Sequence, residues 1–147
     1  MNYVGNFSGN RVLFISIISW MSAQFIKLLI ALIMEKRVDI RRLIGSGGMP
    51  SSHSAAVSAC SVSVGKLYGV SSPVFAVAAV FSFVVMYDAA NVRRAAGEHA
   101  RIINYMMEHW ERNSPEAFEK KLKELLGHTP LQVAFGAALG ITIGLFA

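Results

Sequence analysis

The chain has 147 residues and little charge, few acids and almost no cysteine. Cys60 stands alone, which excludes a disulfide scaffold. Charged residues make up 16% of the chain, against about 25% in an average protein. Acids are the scarcer sign: 9 Asp and Glu face 14 Lys and Arg, for a formal net charge of +5. Disorder needs low hydrophobicity and high charge, and 54% of these residues are hydrophobic. No low-complexity tract and no internal repeat is present. The histidines His53, His99 and His128 have no tight ligand spacing and no clearly paired carboxylate, so a metal centre is disfavoured. What the chain has in quantity is apolar sequence. Its mean hydropathy is +0.47, and the apolar residues fall in long blocks.

A helix of about 20 mostly apolar residues crosses the hydrocarbon of a bilayer. Four blocks approach that length, at about 12–34, 50–67, 73–88 and 131–147. The first contains one charge, Lys27. It is longer than the core of a secretory signal and lacks a small-residue cleavage site. The second is rich in Ser and Ala and only weakly hydrophobic. The fourth carries Gly136, Gly140 and Gly144 at a four-residue spacing suited to close helix packing in lipid. The expectation is an all-α fold. It would be a polytopic membrane helix bundle, one domain over 1–147, with about four membrane-embedded helices plus cytoplasmic helices at about 89–128.

The loops carry a charge asymmetry. Lys36, Arg37, Arg41 and Arg42 lie between the first two blocks, and seven Lys and Arg from Arg93 to Lys123 lie between the last two. The connection from Tyr68 to Ser72 is uncharged. Cytoplasmic loops collect Lys and Arg. Both basic loops are therefore expected inside a bacterial plasma membrane and both termini outside. Without aromatic interleaving, these basic residues give no reason to expect nucleic-acid binding. Ser114 and Pro115 open an expected amphipathic helix, with Phe118, Leu122, Leu125 and Leu126 on one face and Gly127 as its stop. It would lie on the membrane surface or pack on other cytoplasmic segments.

The chemistry concentrates in three places. Gly45 to Ser54 combines glycines and serines before a helix, with Pro50 suited to the first turn and His53 just inside it. Glycine lets backbone amides approach an anion, and a helix N-terminus adds positive potential. This predicts a phosphate cradle from Gly47, Gly48, Ser51 and Ser52, with Arg42 just upstream. A serine-protease triad does not fit, because Ser51 and Ser52 merely precede His53. The second place runs from Tyr87 to Arg101. Asp88, at a membrane boundary, is a functional candidate. A regular helix puts Arg93, Gly97, Ala100 and Asn104 on one face and Asp88, Asn91 and His99 on another. The third place is His128, within Gly127-His128-Thr129-Pro130 at the mouth of the last block.

Together these motifs resemble the type-2 phosphatidic acid phosphatase and vanadium haloperoxidase superfamily, in its small divergent bacterial and plant branch. The matching pieces are residues 48–53, 87–89 with 92, 93 and 97, and 126–130. The resemblance covers nearly the whole chain. It implies His53 as general acid on the leaving group, Arg93 and Lys27 as phosphate ligands, and His99, six residues after Arg93, as nucleophile. The chain departs from the superfamily pattern at Ser52 (Gly), Val92 (Ser) and Ile103 (Asp), and lacks the Arg-Pro of its first motif. His128 is then the second nucleophile candidate, with Asp88 as its orienting carboxylate. The implied activity is hydrolysis of a lipid phosphate with no cofactor. The alternative is a membrane protein that binds, carries or senses lipid phosphate without catalysis. The expected partners are lipid phosphate, membrane lipids and a second copy of the chain.

Overall fold

The computed structural model describes residues 9–35, 48–110, 122 and 127–147. Every element among them is helical: α1 (Arg11–Glu35), α2 (Ser52–Tyr68), α3 (Pro73–Tyr87), a π-helical segment (Asp88–Val92), α4 (Arg93–Trp110) and α5 (Pro130–Phe146). Arg42, Gly47 and most of the expected amphipathic helix lie outside the described residues.

Local chemistry sets the boundaries. The Asn10 side chain accepts from Leu13 N at 3.1 Å, and Ser72 caps α3 by accepting from Phe75 N at 3.2 Å with Pro73 in the first turn. Each supplies an acceptor for an orphan amide at a helix start. Gly69, at φ 82°, ends α2 where a side chain would be strained. The cap of α2 is Ser51, whose Oγ accepts from Ser54 N. Pro50 therefore stands before the cap and not in the first turn, because Ser51 provides the acceptor the turn needs.

Burial in this bundle is inverted relative to a soluble protein. Its closed interior is mostly Ala, Ser and Gly: Ala23, Ala55, Ala59, Ser19, Ser54 and Ser58 are all buried. The large apolar side chains face outward, with Ile33, Val77 and Phe83 more than two-thirds exposed. Such an arrangement suits a lipid solvent, where small residues let helices approach and large ones meet acyl chains. Among the described residues two helices are long and apolar enough to cross a membrane: Arg11–Ile33, and the continuous helix Pro73–His109 of 37 residues. The second is about 55 Å long at about 1.5 Å per residue. It outruns the hydrocarbon, and its polar half is α4.

The weakly hydrophobic α2 is the central helix, packed against α1, α3 and α5. Its serines and their neighbours bond across helices: Ser19 Oγ to Ala55 O at 2.9 Å, Ser61 Oγ to Ala78 O at 2.9 Å and Ser82 Oγ to Val57 O at 2.8 Å. A helix surrounded by protein does not need the hydropathy of one facing lipid. At one end of the bundle, Arg11 and Lys66 bond the terminal carbonyls of α5, from Ala147 and Leu145. The N-termini of α2 and α5 meet at the other end, where Ser51 N donates to Gln132 O at 3.0 Å.

Candidate functional site

The end where α2 and α5 begin carries most of the residues singled out above. Two helix N-termini there add partial positive charge and amide donors. His53 sits exposed in the first turn of α2, within electrostatic reach of Arg93, Lys27 and Asp88. His128, one residue before the α5 cap, is 3% exposed and lies within reach of Lys27 and His53. Lys27 comes from the middle of α1 and is 4% exposed. Its aliphatic stem runs under Gly48, whose φ is 82° and where an added Cβ would meet Lys27 Cγ and Cδ at 3.3 Å. A glycine here leaves room for the lysine to reach the cluster. Among the described residues Lys27 forms no salt bridge. The end is therefore cationic, with Asp88 the acid within reach of His53.

The π segment organises the rest. A regular helix would give Arg93 N to Ala89 O. Here it goes to Asp88 O, five residues back. Two consequences follow. Ala89 O accepts from His128 N at 2.9 Å, docking the 127–128 turn on the helix. Asp88 and Arg93 also come onto one side, with Arg93 Nε to Asp88 Oδ2 at 2.7 Å. A regular helix would put those two residues on different faces. The extra residue per turn of a π segment changes that register. Gly127, at φ 85°, fits against the backbone of Arg93 and Arg94, where a Cβ would collide.

The serines are largely committed to the fold. Ser51 Oγ accepts from Ser54 N at 3.4 Å and from Ser54 Oγ at 2.9 Å, and Ser51 N serves Gln132. Ser52 is buried in the first turn of α2. His99 is exposed on α4, about 9 Å of helical rise beyond Arg93 and turned away from it by about 120°. No contact brings His99 to His53 or His128 among the described residues. Gly97, Ala100 and Asn104 form the buried face of α4. Asn104 holds Leu122 through two bonds of 2.9 Å, to its N and its O. Leu122 lies outside any helix. The helix expected there is not found at that residue, because the Asn104 amide takes both of its backbone groups.

Gln132 is the residue that the sequence reading missed. Its Oε1 accepts from Thr129 N at 3.1 Å and lies 3.1 Å from His128 Nδ1. Asp88 is paired with Arg93 instead. The signal was present as Thr129-Pro130-Leu131-Gln132, a capping-box spacing. His128 Nε2 is buried and has no hydrogen-bond partner among the described residues. The Gly48 carbonyl lies near enough to favour a protonated ring, but outside hydrogen-bond geometry with Nε2. Burial, foremost, and then the charges of Lys27 and His53 hold the imidazole below its ordinary value of 6.5, against the opposing pull of Gln132 and the Gly48 carbonyl. The unfolded chain therefore binds a proton more readily than the fold. Stability from this group is complete above about pH 6.5 and falls as pH drops below it toward the folded value. Detergent-unfolding titrations are expected to show that loss on going from pH 8 to pH 5.5, and a His128→Asn variant should show a smaller one.

Among the described residues no group of three or more His, Cys, Asp or Glu gathers to hold a metal ion. Fold and site thus define a class: an all-helical bundle with large apolar side chains outside, carrying cations and histidines where two helix N-termini meet. The sequence profile described as "Divergent PAP2 family" matches residues 8–143, and the chain belongs to that family. It is 45% identical over 133 residues to a Bacillus subtilis (strain 168) protein described as "Uncharacterized membrane protein YuiD", with 84% of each chain covered. No solved structure matches it. The chain is a membrane protein of the divergent PAP2 family.

Proposed function

We propose that this protein hydrolyses a lipid phosphate ester through a phospho-histidine. The observation that carries the reading is the convergence of Lys27, His53, Arg93 and His128 at the shared N-terminal end of α2 and α5. Fixed cations and helix dipoles stabilise charge that develops on phosphoryl oxygens. His128 Nε2 attacks phosphorus, forming an N–P bond as the P–O ester bond breaks. His53 gives its proton to the leaving alkoxide. Water, deprotonated by His53, then attacks the phospho-histidine, releasing phosphate and restoring Nε2. Splitting the displacement in two is the benefit of a covalent nucleophile. The basic loops face the cytoplasm of a bacterial plasma membrane and both termini face out. The lipid tail remains among the exposed apolar side chains while its headgroup reaches the cluster.

The test is phosphate release from phosphatidic acid and from a polyprenyl phosphate by purified protein in detergent. His53→Ala is expected to slow release by about 10²–10⁴-fold, the usual contribution of a positioned acid–base group. Equal background release by wild type and variant rejects the reading. One observation favours a second reading, in which lipid phosphate is bound and not cleaved: Arg93 is already held by Asp88 at 2.7 Å. Tight binding of the same lipids without turnover, unaffected by His53→Ala, would establish it.

A further inference from the structure

We infer that Gln132 is the positioning residue of this site, selecting the His128 tautomer that carries its proton on Nδ1 and leaves Nε2 bare. Thr129 N–H can only donate, and it lies 3.1 Å from one atom of the Gln132 amide. That atom is therefore the oxygen, which removes the usual ambiguity between amide O and N. The same oxygen lies 3.1 Å from His128 Nδ1. An oxygen acceptor requires Nδ1 to be the donor. A neutral imidazole has one N–H, so Nε2 holds a lone pair. That nitrogen is buried and has no partner among the described residues.

Gln132 is itself fixed in place. Its backbone N donates to Thr129 Oγ1 at 3.3 Å and its carbonyl accepts from Ser51 N at 3.0 Å. One residue thus caps α5, ties it to the start of α2 and orients the histidine between them. A carboxylate could orient the ring equally well, but its charge would favour the protonated imidazole. A neutral amide holds the tautomer without that pull. The groups facing the ring are Lys27 from α1, His53 from α2 and the Gly48 carbonyl. Two of them are cations or potential cations, so a neutral orienter keeps Nε2 available. The chemical use of that lone pair rests on His128 being the proposed nucleophile. The tautomer itself does not.

The experiment is nitrogen NMR of ¹⁵N-histidine-labelled protein in liposomes, with His128→Asn used to assign the signal. At pH 8 the wild type is expected to show a protonated Nδ1 and a bare Nε2. Gln132→Leu is expected to lose that preference. Gln132→Glu retains both acceptor roles, so it should keep the tautomer and raise the His128 titration midpoint by about one unit or more. An Nε2–H tautomer in the wild type overturns the inference, as does an unchanged tautomer in Gln132→Leu. If Gln132→Leu fails to fold, Gln132→Glu decides, and an unmoved midpoint overturns it. A bare Nε2 in a protein that releases no phosphate leaves the inference standing and removes the phosphatase reading.

Discussion

Replacing His128 by Ala is expected to lower phosphate release from a lipid phosphate by about a thousandfold or more, the order seen when an activated nucleophile is lost. His99→Ala should stay within a few-fold of wild type. The two histidines separate on geometry. His128 is buried between the starts of α2 and α5, its Nδ1 held by Gln132 and its backbone docked on Ala89. His99 is exposed on α4, turned away from the Arg93 side. A nucleophile must sit in line with the phosphorus while cations hold the oxygens, and His128 has Lys27 and His53 within reach. Single-turnover labelling adds an independent check: acid-labile, base-stable label should be trapped on wild type and absent from His128→Ala. Loss of activity in His99→Ala with activity retained in His128→Ala would reverse the assignment.

The second large effect concerns folding. Gly140→Val is expected to destabilise the bundle by about 3 kcal/mol or more, above the usual range for an overpacked core. Gly136, Gly140 and Gly144 are the buried residues of α5 and lie against α2. A Cβ at Gly140 would enter the space of the Ala55 carbonyl oxygen, and one at Gly136 that of the Ser51 oxygen. Backbone cannot turn aside as a side chain can, so the two helices must separate. Their separation also strains the Ser51–Gln132 bond that joins the two N-termini at the site. SDS-titration unfolding measures the effect, with Ile141→Leu, an exposed position on the same helix, as a control expected within about 0.5 kcal/mol of wild type. Wild-type stability in Gly140→Val would show that α2 and α5 do not pack through this seam.

Much of the bundle was legible because lipid imposes simple demands. Long apolar blocks, Ser72-Pro73 and Thr129-Pro130 starts, and the Gly69 stop mark helices and turns by local chemistry. The glycine spacing of α5 announced close packing, and the weak hydropathy of α2 was visible before its cause. That cause, a helix enclosed by three others, was not. Apolar residues surround α3 on nearly every side, so periodicity does not tell its inner face from its outer one.

Sequence alone determined the helical class and the family, and it offered Lys27, His53, Asp88, Arg93 and His128 as candidates. Tertiary structure decided who partners whom. It gave Asp88 to Arg93, His128 to Gln132 and Ala89 O to the 127–128 turn. The physical reason is rotational. A side chain's direction changes by about 100° with each residue of an α-helix, so one π turn at Asp88–Val92 redirects every contact beyond it. Whether the ladder takes that turn depends on what docks against the carbonyl it releases, and here that is His128, 39 residues further along the chain.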